Sequence, residues 1–278
     1  MIGWAGSPKA RPKEQPKNCH WRRPAVRVEK MGAATLYLAG CKDVLPGLGQ
    51  FGAMVTDPPY GIGKSTGLVG RGSVGSIPPP DSKRKGLRGE VWSPRQFGRC
   101  IWDAAPVEQA LLDAAIAKAR YSIIWGGNYY ALPPCAKWLV WDKENQGNCF
   151  ADGEMAWTNL PGAMRIKKYL WSGMLISGGH RRGAASTANF ERRGYHPTQK
   201  PLGIMEWCLG ELPLSGGAAI LDPFMGSGTT GVAALRLGLS FVGIEREPSY
   251  FETACKRLEQ ARLEASGRLD FGGGGGSR

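Results

Sequence analysis

The chain contains 278 residues with a mass of 30.0 kDa, enough for one large domain or two modest ones with a buried core. No apolar run approaches the roughly 18 residues that a membrane-spanning helix needs, and no secretory signal is recognisable at the N-terminus. Seven scattered cysteines without a CxxC pair, with only three histidines, argue against a disulfide framework or a structural zinc site. We therefore expect no bound metal and a reducing, cytoplasmic location.

The net charge of +13 is concentrated in three segments, residues 1–30, 64–99 and 160–200. Such clustering favours a polyanionic partner, most simply nucleic acid, although solubility and a solvated tail would also account for it. Proline, lysine and arginine dominate the start of the chain, which predicts a disordered basic tail over residues 1–30. Residues 64–99 are expected to form a basic mobile loop. The glycine-rich residues 271–278 are expected to form a flexible tail, which leaves 31–270 as the folded domain.

Seven short apolar runs predict β-strands, in chain order 35–38, 53–56, 121–125, 138–141, 155–157, 218–221 and 241–244. Helices are predicted where apolar residues recur at three- and four-residue spacing, over 106–119, 201–212, the segment after Gly228, and 248–263. This alternation of strands and helices predicts an α/β fold with a mostly parallel sheet. Ligands of such sheets bind beyond the carboxyl ends of the strands, so the residues that follow each strand carry the most information about function.

A glycine-rich turn follows the sixth predicted strand, which ends at Asp222. Gly226 and Gly228 let the backbone approach a ligand closely, and the helix behind them offers free N–H groups at its N-terminus. The seventh predicted strand ends at Glu245, whose carboxylate can accept hydrogen bonds from both hydroxyls of a ribose. We therefore predict a site for a ribose-bearing cofactor, with an ordinary tight turn as the alternative.

A second loop, Asp57-Pro58-Pro59-Tyr60, follows the second predicted strand. The two prolines stiffen the backbone and remove two N–H donors, so the Asp57 carboxylate and the nearby carbonyls form an acceptor-rich corner. That corner suits a group with N–H donors, such as an amino group, and Tyr60 supplies a flat face for stacking. The alternative is a proline-rich turn with a surface tyrosine.

Together these motifs resemble the amino-group DNA methyltransferases that use S-adenosylmethionine. Residues 57–60 look like the family's catalytic motif, 222–230 look like its cofactor loop, and 196–201 match the segment before the cofactor strand. The catalytic motif comes first, which is the permuted arrangement called the β class, and 125–130 and 141–143 look like segments of phage and prophage members. The resemblance covers about residues 35–265. It implies a Rossmann-like methyltransferase fold with a seven-stranded, mostly parallel sheet and helices on both faces, in a bacterium or a phage-infected host cell.

The resemblance also implies the reaction, which is methyl transfer from S-adenosylmethionine to the exocyclic N6 of adenine in a specific DNA sequence. The target base would be flipped out of the duplex and stacked on Tyr60, and no covalent intermediate would form. Asp57 and the carbonyl of Pro58, stiffened by Pro59, would accept hydrogen bonds from the amino group. Those bonds would point the nitrogen lone pair at the methyl group.

For the cofactor, the resemblance implies that Asp222 lies near the methionine ammonium and that Glu245 binds the ribose. The other expected contacts come from the glycine-rich turn and from the segment before the sixth strand: Phe224, Gly226, Gly228, Thr229, Thr198, Gln199 and Lys200. A structural, solvated role is the alternative for Lys200. His196 is expected to anchor a loop rather than to act as an acid or base.

Double-stranded DNA is the partner that the resemblance implies. Its phosphates would be contacted by residues of the basic segments: Lys83, Arg84, Lys85, Arg88, Arg165, Lys167, Lys168, Arg181, Arg182, Arg192 and Arg193. For each of these residues, simple solvation is the alternative. Residues 159–195 lie where β-class members place a target-recognition region. A homodimer and a cognate restriction endonuclease are left open as further partners, and no membrane is expected.

One position departs from the family pattern, and three other functions are left open. Many members carry an acid where this chain has Gly40, and that acid is thought to help hold the cofactor's adenine. Either Asp43 substitutes for it or the cofactor is held less tightly. Cytosine-N4 methylation is the nearest alternative activity, although an acid at position 57 is associated with adenine. More distant alternatives are a nicotinamide-dependent oxidoreductase and a non-catalytic DNA-binding remnant.

Overall fold

The computed structural model describes residues 26–62, 105–144, 151–170, 199–214 and 217–271. Over these ranges nine strands form one sheet: β1 (Arg27–Met31), β2 (Ala34–Leu38), β3 (Phe51–Thr56), β4 (Ala119–Trp125), β5 (Leu139–Asp142), β6 (Gly153–Thr158), β7 (Arg165–Lys168), β8 (Ala219–Asp222) and β9 (Ser240–Glu245). The helices there are α1 (Cys41–Val44), α2 (Gln109–Ile116), α3 (Leu202–Gly210), α4 (Thr229–Arg236) and α5 (Pro248–Phe271). None of them is both long enough and apolar enough to cross a bilayer.

The strand order in the sheet is β1-β2-β9-β8-β3-β4-β6-β5-β7. The five strands from β2 to β4 run parallel to one another, whereas β1 is antiparallel to β2 and β6 is antiparallel to both of its neighbours. The prediction of a mostly parallel α/β sheet is confirmed, and all seven predicted strands are present. The expected count of seven strands is exceeded, because β1 and β7 extend the sheet at its two edges.

Both extra strands were missed because their sequences are mostly charged and carry no apolar run. β1 reads RVEKM and β7 reads RIKK, and all four residues of β7 are exposed. An edge strand gains its order from backbone pairing on one side, so its side chains need not be apolar. The predicted boundary of the basic tail at residue 30 is therefore wrong, since the sheet already begins at Arg27. The predicted start of the C-terminal tail is also one residue early, because α5 includes Phe271.

The sheet is covered on both faces, as predicted. Successive residues of β3 point to opposite sides, so Ala53 packs into the core beneath α3, α4 and α5, while Met54 packs into the core beneath α1 and α2. Both side chains are completely buried. Burial of this kind on both faces explains why the central strands read as continuous apolar runs.

The chain reverses its winding direction between β3 and β8. From β8 it passes through α4 to β9 on one side, and from β3 it passes through α2 to β4 on the other. Connections that leave two neighbouring strands in opposite directions open a crevice beyond their carboxyl ends. The fold therefore places a cleft where β3 and β8 end.

Candidate active site

The two loops that the sequence singles out are neighbours in the structure. β3 and β8 pair in parallel through Ala53 with Ile220 and Met54 with Leu221, so Asp57 and Asp222 emerge at the same edge of the sheet. A buried hydrogen bond of 2.7 Å from Thr56 Oγ1 to Asp222 Oδ1 joins the two strand ends directly. The corner at residue 57 and the glycine-rich turn therefore face one cleft.

A cavity of about 560 Å³ occupies this cleft. That volume lies within the usual range for small-molecule and cofactor sites. The glycine-rich turn, the end of β9, the α1 segment, the start of α2 and the Asp57 corner all contribute to its walls. Among the predicted site residues, the cavity is lined by Asp57, Pro59, Gln199, Lys200, Asp222, Phe224, Gly226, Thr229 and Glu245.

Asp222 holds the glycine-rich turn in shape. One of its carboxylate oxygens accepts hydrogen bonds from the Thr56 hydroxyl at 2.7 Å and the Phe224 backbone N–H at 3.1 Å. The other accepts a bond of 2.7 Å from the hydroxyl of Thr230, in the first turn of α4. Burial raises the pKa of Asp222 to about 6, although these bonds oppose the shift. The carboxylate thus ties β3, the turn and α4 together beside the cavity.

Glu245 forms the wall of the cavity at the end of β9. Its carboxylate accepts hydrogen bonds from the backbone N–H groups of Gly226 at 3.0 Å and Glu247 at 2.7 Å. Burial raises its pKa to about 7, with the backbone donors acting in the opposite direction. A carboxylate oxygen has more than one lone-pair site, so Glu245 retains acceptor capacity for a ligand with hydroxyl groups.

The two glycines of the turn serve different purposes. Gly226 lines the cavity with a φ of +51°, which is the left-handed region that glycine adopts without strain. Gly228 precedes α4 with a φ of +80°, and a Cβ atom there would lie 2.7 Å from Leu258 and 3.0 Å from Ala254 of α5. The expectation that Gly228 leaves room for the ligand is therefore wrong, because the space it leaves is filled by α5.

The Asp57 carboxylate is paired on both oxygens. The Tyr60 hydroxyl donates a hydrogen bond to Oδ1, and Lys200 Nζ donates one of 2.6 Å to Oδ2. Burial raises the pKa of Asp57, while the Lys200 ammonium opposes that shift and favours the ionised acceptor form. The Lys200 side chain is only 7% exposed, so the alternative of a solvated lysine is wrong.

Lys200 belongs to a row of four alternating charges, Asp57, Lys200, Glu154 and Lys143, which we call the charged row. Its ammonium lies 3.0 Å from Glu154 Oε2, and Lys143 Nζ lies 2.6 Å from Glu154 Oε1. Burial would raise the pKa of Glu154, but the two lysines outweigh it and lower that pKa to about 2. Sequence analysis missed Glu154, the second residue of β6, at the same edge of the sheet where β3 ends.

Tyr60 is held by aromatic and backbone contacts. Its ring stacks on Tyr129 with a centroid distance of 4.9 Å and an interplanar angle of 17°. A Cβ atom on Gly126, whose φ is +64°, would overlap the Tyr60 ring. The neighbouring Tyr130 hydroxyl donates to the Pro59 carbonyl. These contacts fix both the tyrosine and the proline turn from the side of β4.

The other expected cofactor residues are placed as follows. Phe224 and Thr229 line the cavity, and Gln199 accepts a hydrogen bond of 3.3 Å from Ser227 of the turn. Pro58 is buried. Thr198 and His196 lie outside the described residues.

Three of the predicted DNA-contacting residues can be placed. Arg165, Lys167 and Lys168 are exposed on β7, which runs parallel to β5 and so ends at the same edge of the sheet as β3. The remaining candidates lie outside the described residues: Lys83, Arg84, Lys85, Arg88, Arg181, Arg182, Arg192 and Arg193. The strand therefore brings Lys168, at its end, to the edge that carries the cavity, whereas Arg165 lies at its start.

The position that departs from the family pattern also faces the cavity. Gly40 precedes α1, and a Cβ atom there would lie 3.3 Å from Asp43 Oδ2. Both residues line the cavity. The Asp43 carboxylate thus lies beside the place that a side chain at position 40 would occupy.

Comparison with known proteins agrees with this geometry. The family model described as DNA methylase matches residues 116–256, which is half of the chain. The chain therefore belongs to the DNA methylase family.

Two curated relatives match a shorter stretch. The Type II methyltransferase M2.DpnII of Streptococcus pneumoniae is 54% identical over 69 residues, and M2.LlaDCHI of Lactococcus lactis subsp. cremoris is 50% identical over 70 residues. Each match covers 24% of this chain and 24% of the relative, so the chain spans about a quarter of the length of these relatives. The crystal structure of the M1.HpyAVI–SAM complex aligns with 81% of this chain and 98% of its own, at 20% identity and a TM-score of 0.47.

Proposed function

We propose that the protein transfers a methyl group from S-adenosylmethionine to the exocyclic N6 of adenine in DNA. The observation that carries this proposal is the direct contact between the ends of β3 and β8. It brings an acceptor corner and a ribose-type pocket to one cavity in a member of the DNA methylase family. A methyl group can pass between two sites only if they face each other across a few ångströms, and the lining of one cavity by residues of both loops supports such an arrangement.

The residues around the cavity fit S-adenosylmethionine, which would supply an activated methyl group on its sulfonium when bound. Glu245 would accept hydrogen bonds from the ribose hydroxyls, and Gly226 leaves the backbone open beside it. Asp222 keeps this turn in place for the methionine end, with Phe224 at the wall. The position of Asp43 supports the idea that it substitutes for the acid missing at position 40.

Asp57 would act as a hydrogen-bond acceptor for the amino group of the target base. The lone pair of that nitrogen is delocalised into the ring. Fixed acceptors that accept hydrogen bonds from its N–H groups favour a tetrahedral nitrogen with a localised lone pair. Lys200 donates a hydrogen bond to this carboxylate and its positive charge favours the ionised form, in which Asp57 can only accept. A flipped base would stack on Tyr60, whose ring is already held by Tyr129.

The reaction is tested with S-adenosylmethionine that carries a tritiated methyl group and with duplex DNA. We expect label in DNA, and mass spectrometry of the digested product should show N6-methyladenine. N4-methylcytosine would favour the cytosine alternative and would overturn the adenine assignment. A folded protein that binds S-adenosylmethionine and transfers no label to DNA of varied sequence would overturn the proposal as a whole.

The pKa of Glu245 predicts how cofactor affinity depends on pH. The ionised carboxylate is the better acceptor for ribose hydroxyls, so binding should strengthen as pH rises through about 7 and should release protons. For one such group, the dissociation constant should fall by up to about tenfold between pH 6 and pH 8. Isothermal titration at both pH values, in buffers of different ionisation heat, measures both effects. Adenosine is the control ligand because it does not titrate in this range. If its affinity stayed constant or weakened as pH rises, the assignment of Glu245 to the ribose would be contradicted.

The basic strand β7 predicts a contribution to DNA binding that does not depend on sequence. Replacing Arg165, Lys167 and Lys168 by alanine should reduce the slope of log K against log salt concentration by up to about three, since each phosphate contact contributes roughly 0.9. The matched control replaces Lys30, Arg120 and Lys256, exposed cations on β1, β4 and α5, and should leave the slope unchanged. Equal slopes for wild type and the β7 variant in fluorescence anisotropy would remove β7 from the interface.

We also infer that the described elements form one catalytic domain beginning at β1, with double-stranded DNA as its partner. The names of the Type II relatives support a setting in which a restriction endonuclease accompanies the methyltransferase.

A further inference from the structure

The Lys200 ammonium lies between two carboxylates that belong to different strands. It is 2.6 Å from Asp57 Oδ2, just beyond β3, and 3.0 Å from Glu154 Oε2, at the start of β6. The Tyr60 hydroxyl is a third neighbour at 3.3 Å. An ammonium has three N–H donors, so Lys200 can serve both carboxylates at once or shift its donors from one to the other without a change in rotamer.

Glu154 is itself fixed on its other side. Lys143, which directly follows β5, lies 2.6 Å from Glu154 Oε1, and β5 pairs antiparallel with β6 through Trp141 and Glu154. The Lys143 side chain is only 11% exposed. A carboxylate held in this way stays in place when Lys200 moves, so it offers a second binding position of constant geometry.

The target base creates a need for such a second position. An amino group that donates to Asp57 Oδ2 competes with Lys200 for the same oxygen. If Asp57 were the only partner, displacing Lys200 would leave a buried ammonium without a counter-ion, which is strongly unfavourable. With Glu154 beside it, the ammonium remains paired throughout.

We propose that Glu154 is a positioning residue, which takes over the Lys200 ammonium when the amino group of the target base binds Asp57. This inference rests on the proposed function and adds to it a residue that the sequence motifs do not contain. The exchange is one of hydrogen bonds only: a Lys200 N–H leaves Asp57 Oδ2, an N–H of the base replaces it, and no proton is transferred.

The test compares Glu154→Gln, Lys200→Met and the double variant. Glu154→Gln should lower kcat/KM for DNA methylation by about tenfold or more while S-adenosylmethionine binding is retained. The double variant should be no worse than Lys200→Met alone, because Glu154 acts only through Lys200. Glu259→Gln, an exposed pair with Arg262 on α5, is the control and should behave as wild type.

The pH profile separates this role from a merely structural one. Asp57 faces Lys200, Glu154, Tyr60 and Asp222, and loss of Lys200 removes the only cation among them. The acid limb of the rate profile should therefore move to higher pH in Lys200→Met. In Glu154→Gln it should stay or move to lower pH, because a negative neighbour of Asp57 is lost, while the rate is reduced across the whole range. Multiplying losses in the double variant, or full activity of Glu154→Gln, would overturn the proposal.

A second measurement does not need turnover. Carbon NMR of the carboxyl groups, with Asp57 assigned from the signal absent in Asp57→Asn, should show the pKa of Asp57 rising in Lys200→Met and staying or falling in Glu154→Gln. If the wild type methylates no DNA, the proposed function fails, and this titration alone decides whether Glu154 acts on Asp57 through Lys200. If Glu154→Gln does not fold, Glu154→Asp takes its place, and it should show an intermediate loss. No shift of the Asp57 titration in any variant would overturn the inference.

Discussion

Replacing Asp57 by alanine should lower methyl transfer at least about a thousandfold, because it removes the acceptor that we propose localises the amino nitrogen lone pair in the transition state. S-adenosylmethionine should still bind, since the turn at Gly226 and the Glu245 carboxylate are held by contacts that do not involve Asp57. Single-turnover transfer of tritiated methyl, combined with calorimetry of cofactor binding, measures the two effects separately.

Two further variants sharpen this prediction. Asp57→Asn keeps the volume but presents an N–H donor to Lys200 or to the base, so it should be as inactive as the alanine variant. Asp113, on α2 and bonded to Gln109, provides the control, and Asp113→Ala should transfer at the wild-type rate. Near-normal transfer by Asp57→Ala would show that the corner at residue 57 is not the reaction site.

Gly126→Ala should be the most damaging of the small substitutions. The added methyl group would overlap the Tyr60 ring and would force the tyrosine away from Asp57 and Tyr129. We expect the rate of methyl transfer to fall by about a hundredfold and the free energy of unfolding to fall by about 2–3 kcal/mol, from overpacking and the left-handed backbone together. Urea unfolding and single-turnover kinetics measure these effects.

Gly238 provides the matched control because it shares the backbone conformation without the overlap. Its φ is +70°, and no atom lies within 4 Å of the place where a Cβ would be. Gly238→Ala should cost about 1 kcal/mol in stability and leave methyl transfer unchanged. If the two variants lost activity equally, backbone strain rather than the position of Tyr60 would explain the effect.

Sequence alone could predict which loops meet at the cleft. Asp57 follows β3, while Asp222 and Glu245 end β8 and β9, and in a parallel sheet the carboxyl ends of the strands share one edge. The same reasoning could not predict the charged row. Lys200 and Asp57 are separated by 143 residues, and nothing in the local pattern around either residue indicates the other. Their pairing depends on how α3 packs against the sheet, which is a property of the whole fold.

The role of each glycine is a second feature that the sequence could not predict. A glycine after a strand indicates close approach by something, but the pattern does not say by what. At Gly228 the neighbour is α5, whereas Gly226 lines the cavity. The charged edge strands β1 and β7 could not be predicted either. They are ordered by backbone pairing, which requires no apolar pattern in the sequence.

The strand order has a consequence for how the protein is made. Among the strands that the structure describes, β8 and β9 come after the other seven in the chain, yet they lie inside the sheet, between β2 and β3. Until they emerge from the ribosome, β2 and β3 each have an open side with unpaired backbone groups, and these are the surfaces through which nascent chains associate wrongly. Closing the sheet also requires contacts between residues far apart in the chain, which slows folding. The sheet is therefore closed only after β8 and β9 have been synthesised, and a chain cut short before β8 keeps the Asp57 corner but lacks the glycine-rich turn on the other side of the cleft.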